Sequence, residues 1–155
     1  MSICPGHLRE YIVRPVLRAL DLYSESAEEL LMLTAAQESQ CGRWLHQVGG
    51  PALGIWQMEP ATHDDCWTNF LAYRATLAAA VRKYGSSTAD LPGNLYYACA
   101  MARVRYLRAP GALPSPADLN GLASYYKNHY NTAAGAATIS EAIDSYNKFA
   151  QCDGA

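Results

Sequence analysis

The sequence predicts a mostly α-helical fold in a single domain that spans residues 1–155. Apolar residues recur at helical spacing along most of the chain, and residues that start or stop helices bound these segments. Strand-forming features are confined to one short stretch, so at most a small β element is expected near residues 45–58. Half of the 155 residues are apolar, which is enough to bury a core without a second domain.

Two helices are predicted in the first quarter of the chain. The first runs from His7 to Tyr23, with one apolar face and a bend at Pro15. The second opens near Ser26, which has the spacing of a capping box with Glu29, and it stops at Gly42. These helices are interpreted as scaffold, except at the end of the second one.

The rest of the chain alternates breaks and helices. Gly49-Gly50-Pro51 interrupts any helix, and Ile55-Trp56 favours extended backbone, which places the small β element here. A rigid Pro-rich linker is predicted at 109–116. Four later helices are predicted. The first starts at Thr62 and runs to about Lys83, and the second runs from about Asn94 to Leu107. The third starts at Ser115-Pro116, and the fourth starts at a capping box of Thr138 with Glu141.

Charge and hydropathy exclude several classes of protein. The net charge of -2 and the sequence pI near 6.0 argue against binding to nucleic acid or anionic lipid by bulk electrostatics. No apolar run reaches the roughly 18 residues that span a bilayer, so no membrane insertion is expected. The N-terminal residues lack a basic segment followed by an apolar stretch, so no secretory signal is expected either.

Cysteine and metal-ligand patterns predict neither a disulfide framework nor a metal site. The five cysteines are widely spaced and contain no CxxC pair. The segment His63-Asp64-Asp65-Cys66 carries metal-type ligands, but no second cluster completes the set. Asp64 and Asp65 are expected to cap the helix that starts here or to complement its positive end, and they are reserve candidates for a second catalytic carboxylate.

Glu38 is the first candidate catalytic residue. It follows the apolar run LLMLTAA from Leu30 to Ala36, which has the composition of a buried helix. Burial disfavours the charged form of a carboxyl group and raises its pKa, so this residue can stay protonated near neutral pH and act as a general acid. Cleavage of a glycosidic bond requires such a proton donor for the leaving oxygen.

A glycine-rich turn with an aromatic ring and an amide follows. Glycines allow a ligand to approach the backbone closely. Trp56 is predicted to offer a flat face to a sugar ring, and Gln57 an amide that can donate and accept hydrogen bonds. The ordered combination of Glu38-Ser39, the glycine-rich turn with Trp56 and Gln57, and the segment Pro60-Ala61-Thr62 indicates a function more specifically than any one of these features.

This combination resembles a known family. Glu38-Ser39, Gly54-Ile55-Trp56-Gln57 and Pro60-Ala61-Thr62 are similar to the ES…GLMQ…PAT signature of the lytic transglycosylases of the lysozyme-like superfamily, in the versions found in bacteriophage proteins. Downstream, ACAMARVRYLR at 98–108 and LASYYKNHYN at 122–131 are similar to the family's later helix and aromatic motif. The resemblance covers about Leu30 to Phe149 and implies a lysozyme-like fold.

The resemblance also implies roles for individual residues. Glu38 would be the catalytic acid/base, Ser39 and Gln57 would position it or the substrate, and either Tyr125 or Tyr126 would line the cleft. The family motif at that last place reads A-Y-N, whereas this chain reads Ala-Ser-Tyr-Tyr-Lys, so both tyrosines stay candidates.

Glu59 departs from the transglycosylase pattern, in which this position is commonly apolar. Goose-type lysozymes, from the same superfamily, are similar in carrying a carboxylate two residues after the corresponding Gln. A second carboxylate can activate water for hydrolysis with inversion. Glu59 is therefore the candidate base of a hydrolytic alternative, and an exposed loop carboxylate is the competing interpretation.

Two further groups of side chains have two interpretations each. The rings of Tyr125, Tyr126, His129 and Tyr130 can contact sugars, although at least half of them are expected to pack in the core. Arg103, Arg105 and Arg108 could meet acidic peptide stems or phosphates, but a solvated helix face is favoured.

The sequence as a whole predicts a peptidoglycan-degrading muramidase without a cofactor. It would cleave the β-1,4 bond between N-acetylmuramic acid and N-acetylglucosamine, as a lytic transglycosylase or alternatively as a lysozyme. The expected protein is a monomer that binds glycan strands, and as a bacteriophage virion component it would also contact other virion or tail proteins. It would be made in the host cytoplasm and act in the periplasm or cell wall. A non-catalytic, wall-binding virion component is the rival from another class.

Overall fold

In the computed structural model, which describes residues 2–131 and 135–151, a central helix is surrounded by the others. The prediction of a mostly helical, single-domain fold with a small β element is confirmed. Cys152 lies outside the described residues. The elements are α1 (Pro5–His7), a π-helical segment (Leu8–Val13), α2 (Arg14–Ala19), α3 (Glu25–Ser39), α4 (Pro60–Asn69), α5 (Ala75–Arg82), α6 (Leu95–Leu107), α7 (Leu119–Tyr126), a second π-helical segment (Lys127–Asn131) and α8 (Ile139–Phe149). Short 3-10 turns occupy Leu71–Tyr73 and Thr88–Asp90.

Helix α3 is the central element. It is buried around its circumference, because Ala27, Glu28 and every residue from Leu30 to Ala36 are inaccessible or nearly so. It packs against α8, α7, α6, α2 and the first π-helical segment. A helix enclosed in this way can offer a side chain to a cleft only near an end, and Glu38 lies in its last turn.

The two ends of α3 differ from the predicted ones. The helix starts after Ser24, whose side chain accepts a hydrogen bond from the Ala27 amide at 3.0 Å. The capping box predicted at Ser26 is wrong, because the carboxylate of Glu29 binds Arg9 instead of a backbone amide. The helix ends at Ser39, and Gln40 and Cys41 (φ 51° and 54°) already reverse the chain before Gly42 is reached.

An ion-pair cluster ties the N-terminal segment to α3. The buried carboxylate of Glu28 accepts hydrogen bonds from Arg9 at 2.8 Å and from Arg14 at 2.7 and 3.0 Å. Arg9 also binds Glu29, which accepts a hydrogen bond from the Tyr146 hydroxyl on α8. Burial favours the neutral form of Glu28, but the hydrogen bonds and charges of the two arginines outweigh it and lower the pKa of this carboxyl group.

Several other helix boundaries were predicted with mixed success. The first helix ends at Ala19 rather than Tyr23, and the irregularity expected at Pro15 takes the form of the π-helical segment that precedes it. Helix α6 keeps the predicted bounds to within one residue, with Asn94 as its N-cap, and the Thr138–Glu141 capping box opens α8 as predicted.

Two of the later predictions are wrong. The single helix expected from Thr62 to Lys83 is two helices, and it starts at Pro60, which occupies the first helical turn as its fixed φ favours. The helix expected at Ser115-Pro116 begins at Leu119 instead, because Asp118 accepts the Gly121 amide at 2.9 Å and supplies the N-cap. No helix among the described residues is long and apolar enough to span a bilayer.

The small β element consists of isolated antiparallel bridges that join His46 to Leu53 and Leu53 to Met58. It brings Gly54 against the backbone of the loop before α6. Gly54 has a φ of 78°, and a Cβ atom added there would lie 2.6 Å from the carbonyl oxygen of Leu91. The position therefore requires glycine both for its backbone conformation and for its space.

Replacing Gly54 with alanine is expected to lower the free energy of unfolding by about 3 kcal/mol, through the strained φ and the clash with backbone. Gly49→Ala is the matched control, since Gly49 has a φ of 73° and nothing within 4 Å of an added Cβ. The control should cost only about 1 kcal/mol. Chemical denaturation of both variants measures the difference, and equal losses would contradict a steric role for the Leu91 contact.

Candidate active site

A cleft of about 540 Å³ opens beside the C-terminal end of α3. Of the predicted site residues, Glu38, Gln57 and Glu59 line it, although they come from a helix end, a turn and the start of the next helix. Its wall also includes Arg105 and Tyr130. A separate hollow of about 610 Å³ near α2 and α5 contains none of the predicted site residues.

The Glu38 carboxyl group is half-buried at the wall of this cleft. Its Oε1 accepts a hydrogen bond of 2.6 Å from the hydroxyl of Tyr126. Burial raises the pKa of Glu38, and the Tyr126 hydrogen bond and the charge of Arg105 offset this only in part. The carboxyl group therefore keeps its proton to a higher pH than an exposed glutamate, as a general acid requires.

The structure distinguishes the two candidate tyrosines. Tyr126 is fully buried, and burial, together with the adjacent Glu38, raises the pKa of its phenol, so the hydroxyl stays protonated and donates. Tyr125 does not line the cleft, and its ring packs against Tyr106 and, at 4.4 Å, against His129. Neither tyrosine is part of the cleft wall, and only Tyr126 contacts Glu38, because consecutive helical residues project about 100° apart.

Replacing Tyr126 with phenylalanine is expected to raise the pKa of Glu38 further, because a hydrogen bond that favours the carboxylate is lost. If Glu38 acts as the acid, the alkaline limb of kcat/KM then moves to higher pH. NMR titration of carbon-13-labelled glutamates measures the same shift without an activity assay. Tyr125→Phe is the control that should leave the Glu38 titration in place.

Gln57 is held in a strained conformation at the cleft. Its φ is 46°, a left-handed value that costs a non-glycine residue about 1 kcal/mol. Both its backbone amide and its Nε2 donate to the Gly54 carbonyl, at 3.0 and 2.8 Å. Among the described residues Oε1 has no hydrogen-bond partner, so this oxygen is the acceptor that remains for a ligand.

Trp56 and Ser39 are buried and do not line the cleft, so the predicted stacking of a sugar ring on Trp56 is wrong, whereas Ser39 keeps the predicted alternative of positioning Glu38. Trp56 is 1% exposed, and its indole N–H donates to the Leu31 carbonyl at 2.9 Å, so the ring is part of the core. Ser39 is fully buried, and its Oγ accepts the Gly42 amide at 2.9 Å. Ser39 therefore holds the turn that follows Glu38, which is a positioning role.

Glu59 precedes the first residue of α4 and is exposed. Because it lines the same cleft as Glu38, the site holds two carboxyl groups in different environments. Glu38 is desolvated and bonded to a phenol, whereas Glu59 faces water. Environments that separate two carboxyl groups in this way are typical of acid and base pairs.

The metal-type ligands at 63–66 are occupied by other partners. His63 binds Asp64 at 2.8 Å and the Tyr97 hydroxyl at 2.7 Å. Helix α4 has Glu59 at its N-cap and no acidic residue in its first turn, so the predicted role of Asp64 and Asp65 at the helix start is wrong, and Asp65 binds Arg108 instead. Across the ranges 2–131 and 135–151, no group of three or more His, Cys, Asp or Glu side chains could hold a metal ion.

Arg105 and Tyr130 line the cleft, although ligand contact was only one of the two interpretations of each from the sequence and neither was among the predicted site residues. The Arg105 guanidinium lies 4.1 Å from the centre of the Tyr130 ring and donates to the Tyr130 carbonyl, and the Tyr130 hydroxyl donates to the Trp56 carbonyl at 2.6 Å. The solvated face predicted for the arginines is wrong for Arg105 and for Arg103, which is 8% exposed. Helical geometry alone could have separated these arginines, because residues 105 and 108 project about 60° apart on a helix, whereas residue 103 projects in another direction.

No family model, curated protein or solved structure matches this chain. The resemblance to lytic transglycosylases therefore rests on the motifs in the sequence.

Proposed function

We propose that this protein cleaves the β-1,4 bond between N-acetylmuramic acid and N-acetylglucosamine in peptidoglycan, as a lytic transglycosylase. The observation that carries the proposal is Glu38, a carboxyl group with a raised pKa that lines a polar cleft and is oriented by a buried phenol. Such a group can donate a proton where an exposed glutamate at neutral pH cannot.

In the proposed reaction Glu38 first protonates the glycosidic oxygen, and the bond to the anomeric carbon breaks as the muramic sugar gains oxocarbenium character. The Tyr126 hydrogen bond and the Arg105 charge then stabilise the carboxylate that remains. This carboxylate takes the proton from the C6 hydroxyl of the same sugar, whose oxygen bonds to the anomeric carbon. The product is a 1,6-anhydro sugar, Glu38 regains its proton, and no cofactor takes part.

Hydrolysis is the second candidate, because Glu59 lines the cleft together with Glu38. In that reaction Glu59 would take a proton from water as the water attacks the anomeric carbon, and the product would carry a reducing end. The transglycosylase is favoured because the motif resemblance is stronger there. Delivery to the periplasm or wall as part of a virion is proposed on the resemblance alone.

The test is mass spectrometry of the products released from purified peptidoglycan by the protein and by its Glu59→Gln variant. Anhydro-muropeptides from both proteins are expected for a transglycosylase. Reducing-end products that disappear in the variant would support the hydrolase. If neither protein releases fragments but both co-sediment with peptidoglycan, the catalytic proposal fails and a wall-binding role replaces it.

A further inference from the structure

A second hollow, of about 350 Å³, adjoins the cleft. Thr62 and Arg105 line both spaces, so a ligand that fills the cleft can extend into the hollow. The other polar side chains of its wall belong to Arg108, Asn128 and His129. The proposed chemistry at Glu38 assigns no role to this space.

The wall of this basic hollow contains two guanidinium groups and an imidazole, and no carboxylate. Within the described part of the chain, Arg105 makes no ion pair, and its contacts are the ring and carbonyl of Tyr130. Arg108 pairs with Asp65, whose side chain is 45% exposed, so water or a competing anion can reach this pair. The hollow therefore has positive charge available at the end of a polar cleft.

We propose that the basic hollow binds a carboxylate of the peptide stem carried by the muramic acid sugar. This inference rests on the proposed function, because it assumes that a peptidoglycan strand lies in the cleft. The stem branches from the same sugar whose bond would be cleaved, so it must leave the cleft close to Glu38. Guanidinium groups bind carboxylates through paired, charge-assisted hydrogen bonds, and Arg105 and Arg108 project from the same side of α6.

Binding is measured by calorimetry in a Glu38→Gln background, so that no ligand is cleaved. The probes are a peptidoglycan tetrasaccharide with its stems, the same compound with the stem carboxylates converted to amides, and the stem-free tetrasaccharide. We expect the first to bind about tenfold more tightly than the other two, because one charge-assisted contact contributes about that factor. Equal affinities for all three probes would overturn the proposal.

Two additional substitutions separate ligand binding from a structural role of the Arg108–Asp65 pair. Arg108→Met should remove most of the tenfold preference, whereas Asp65→Asn should keep or increase it, because the guanidinium is then released to the ligand. If both substitutions reduce the preference alike, the pair is only structural and the proposal is wrong. Arg18→Met is the matched control, since Arg18 is an exposed arginine stacked on Tyr23.

This measurement is independent of the cleavage proposal. Absence of products from peptidoglycan would remove the catalytic role of Glu38, while a preference for stem carboxylates that depends on Arg108 would still establish the binding site. Conversely, anhydro products with no preference among the three probes would leave the catalytic proposal intact and reject the stem site.

Discussion

Replacement of Glu38 by glutamine is expected to lower the rate of peptidoglycan cleavage about 1,000-fold, the usual contribution of a positioned general acid. Glutamine keeps the size of the side chain but cannot give a proton to the glycosidic oxygen. The initial rate of release of soluble muropeptides measures the effect. Binding of glycan should be retained, since the cleft keeps its shape.

The Glu38→Gln variant should also be slightly more stable than the natural protein at pH 7. The pKa of Glu38 is raised in the folded state, so ionisation of this group lowers stability as the pH rises through that value. A neutral amide avoids that cost. Glu25→Gln is the control, because Glu25 is an exposed residue at the opposite end of α3. Cleavage by Glu38→Gln at the natural rate would exclude Glu38 as the acid.

Replacement of Glu28 by glutamine is expected to lower the free energy of unfolding by about 3 kcal/mol at pH 7, the lower end of what removal of one partner of a buried ion pair costs. The Glu28 side chain is 4% exposed and pairs with both Arg9 and Arg14, so the variant removes a buried carboxylate that two guanidinium groups share, although Arg9 keeps its pair with Glu29. The lower end applies because the Arg14 side chain is 40% exposed and can turn to water.

The pH dependence of this loss has a definite sign. The folded-state pKa of Glu28 is below its ordinary value of 4.5, so the carboxylate contributes stability above that value and loses the contribution as the pH falls through the folded pKa. The difference between the natural protein and Glu28→Gln should therefore shrink between about pH 4.5 and more acidic pH. Urea denaturation at several pH values tests this. A difference that stays constant down to pH 2 would contradict the role assigned to the Glu28 charge.

Helix boundaries that depend on residues close together in the sequence were predicted well. Thr138 and Glu141 bond to each other's backbone amides within one turn, and Asn94 caps its own helix, so the spacing of these residues alone predicts both helix starts. Glu38 belongs to the same class, because its position after a continuous apolar run places it at the end of a buried helix. The N-cap of α3 was predicted wrongly because of a long-range contact: the Glu29 carboxylate, which the predicted capping box required, binds Arg9 instead.

For the site residues, the sequence predicts only part of the arrangement. The motif predicted that Glu38 and Gln57 belong to one site beside a glycine-dependent turn, and in the structure both residues line one cleft next to Gly54. Only the tertiary structure decided that Trp56 faces the core, that Tyr126 rather than Tyr125 reaches Glu38, and that Arg105 enters the cleft. Each of these depends on which side of one helix or turn meets another element far away in the chain. The spacing of residues along a helix predicts how their side chains are directed relative to one another. Which surroundings each side chain meets is decided only by the packing of α3 against α6 and α7.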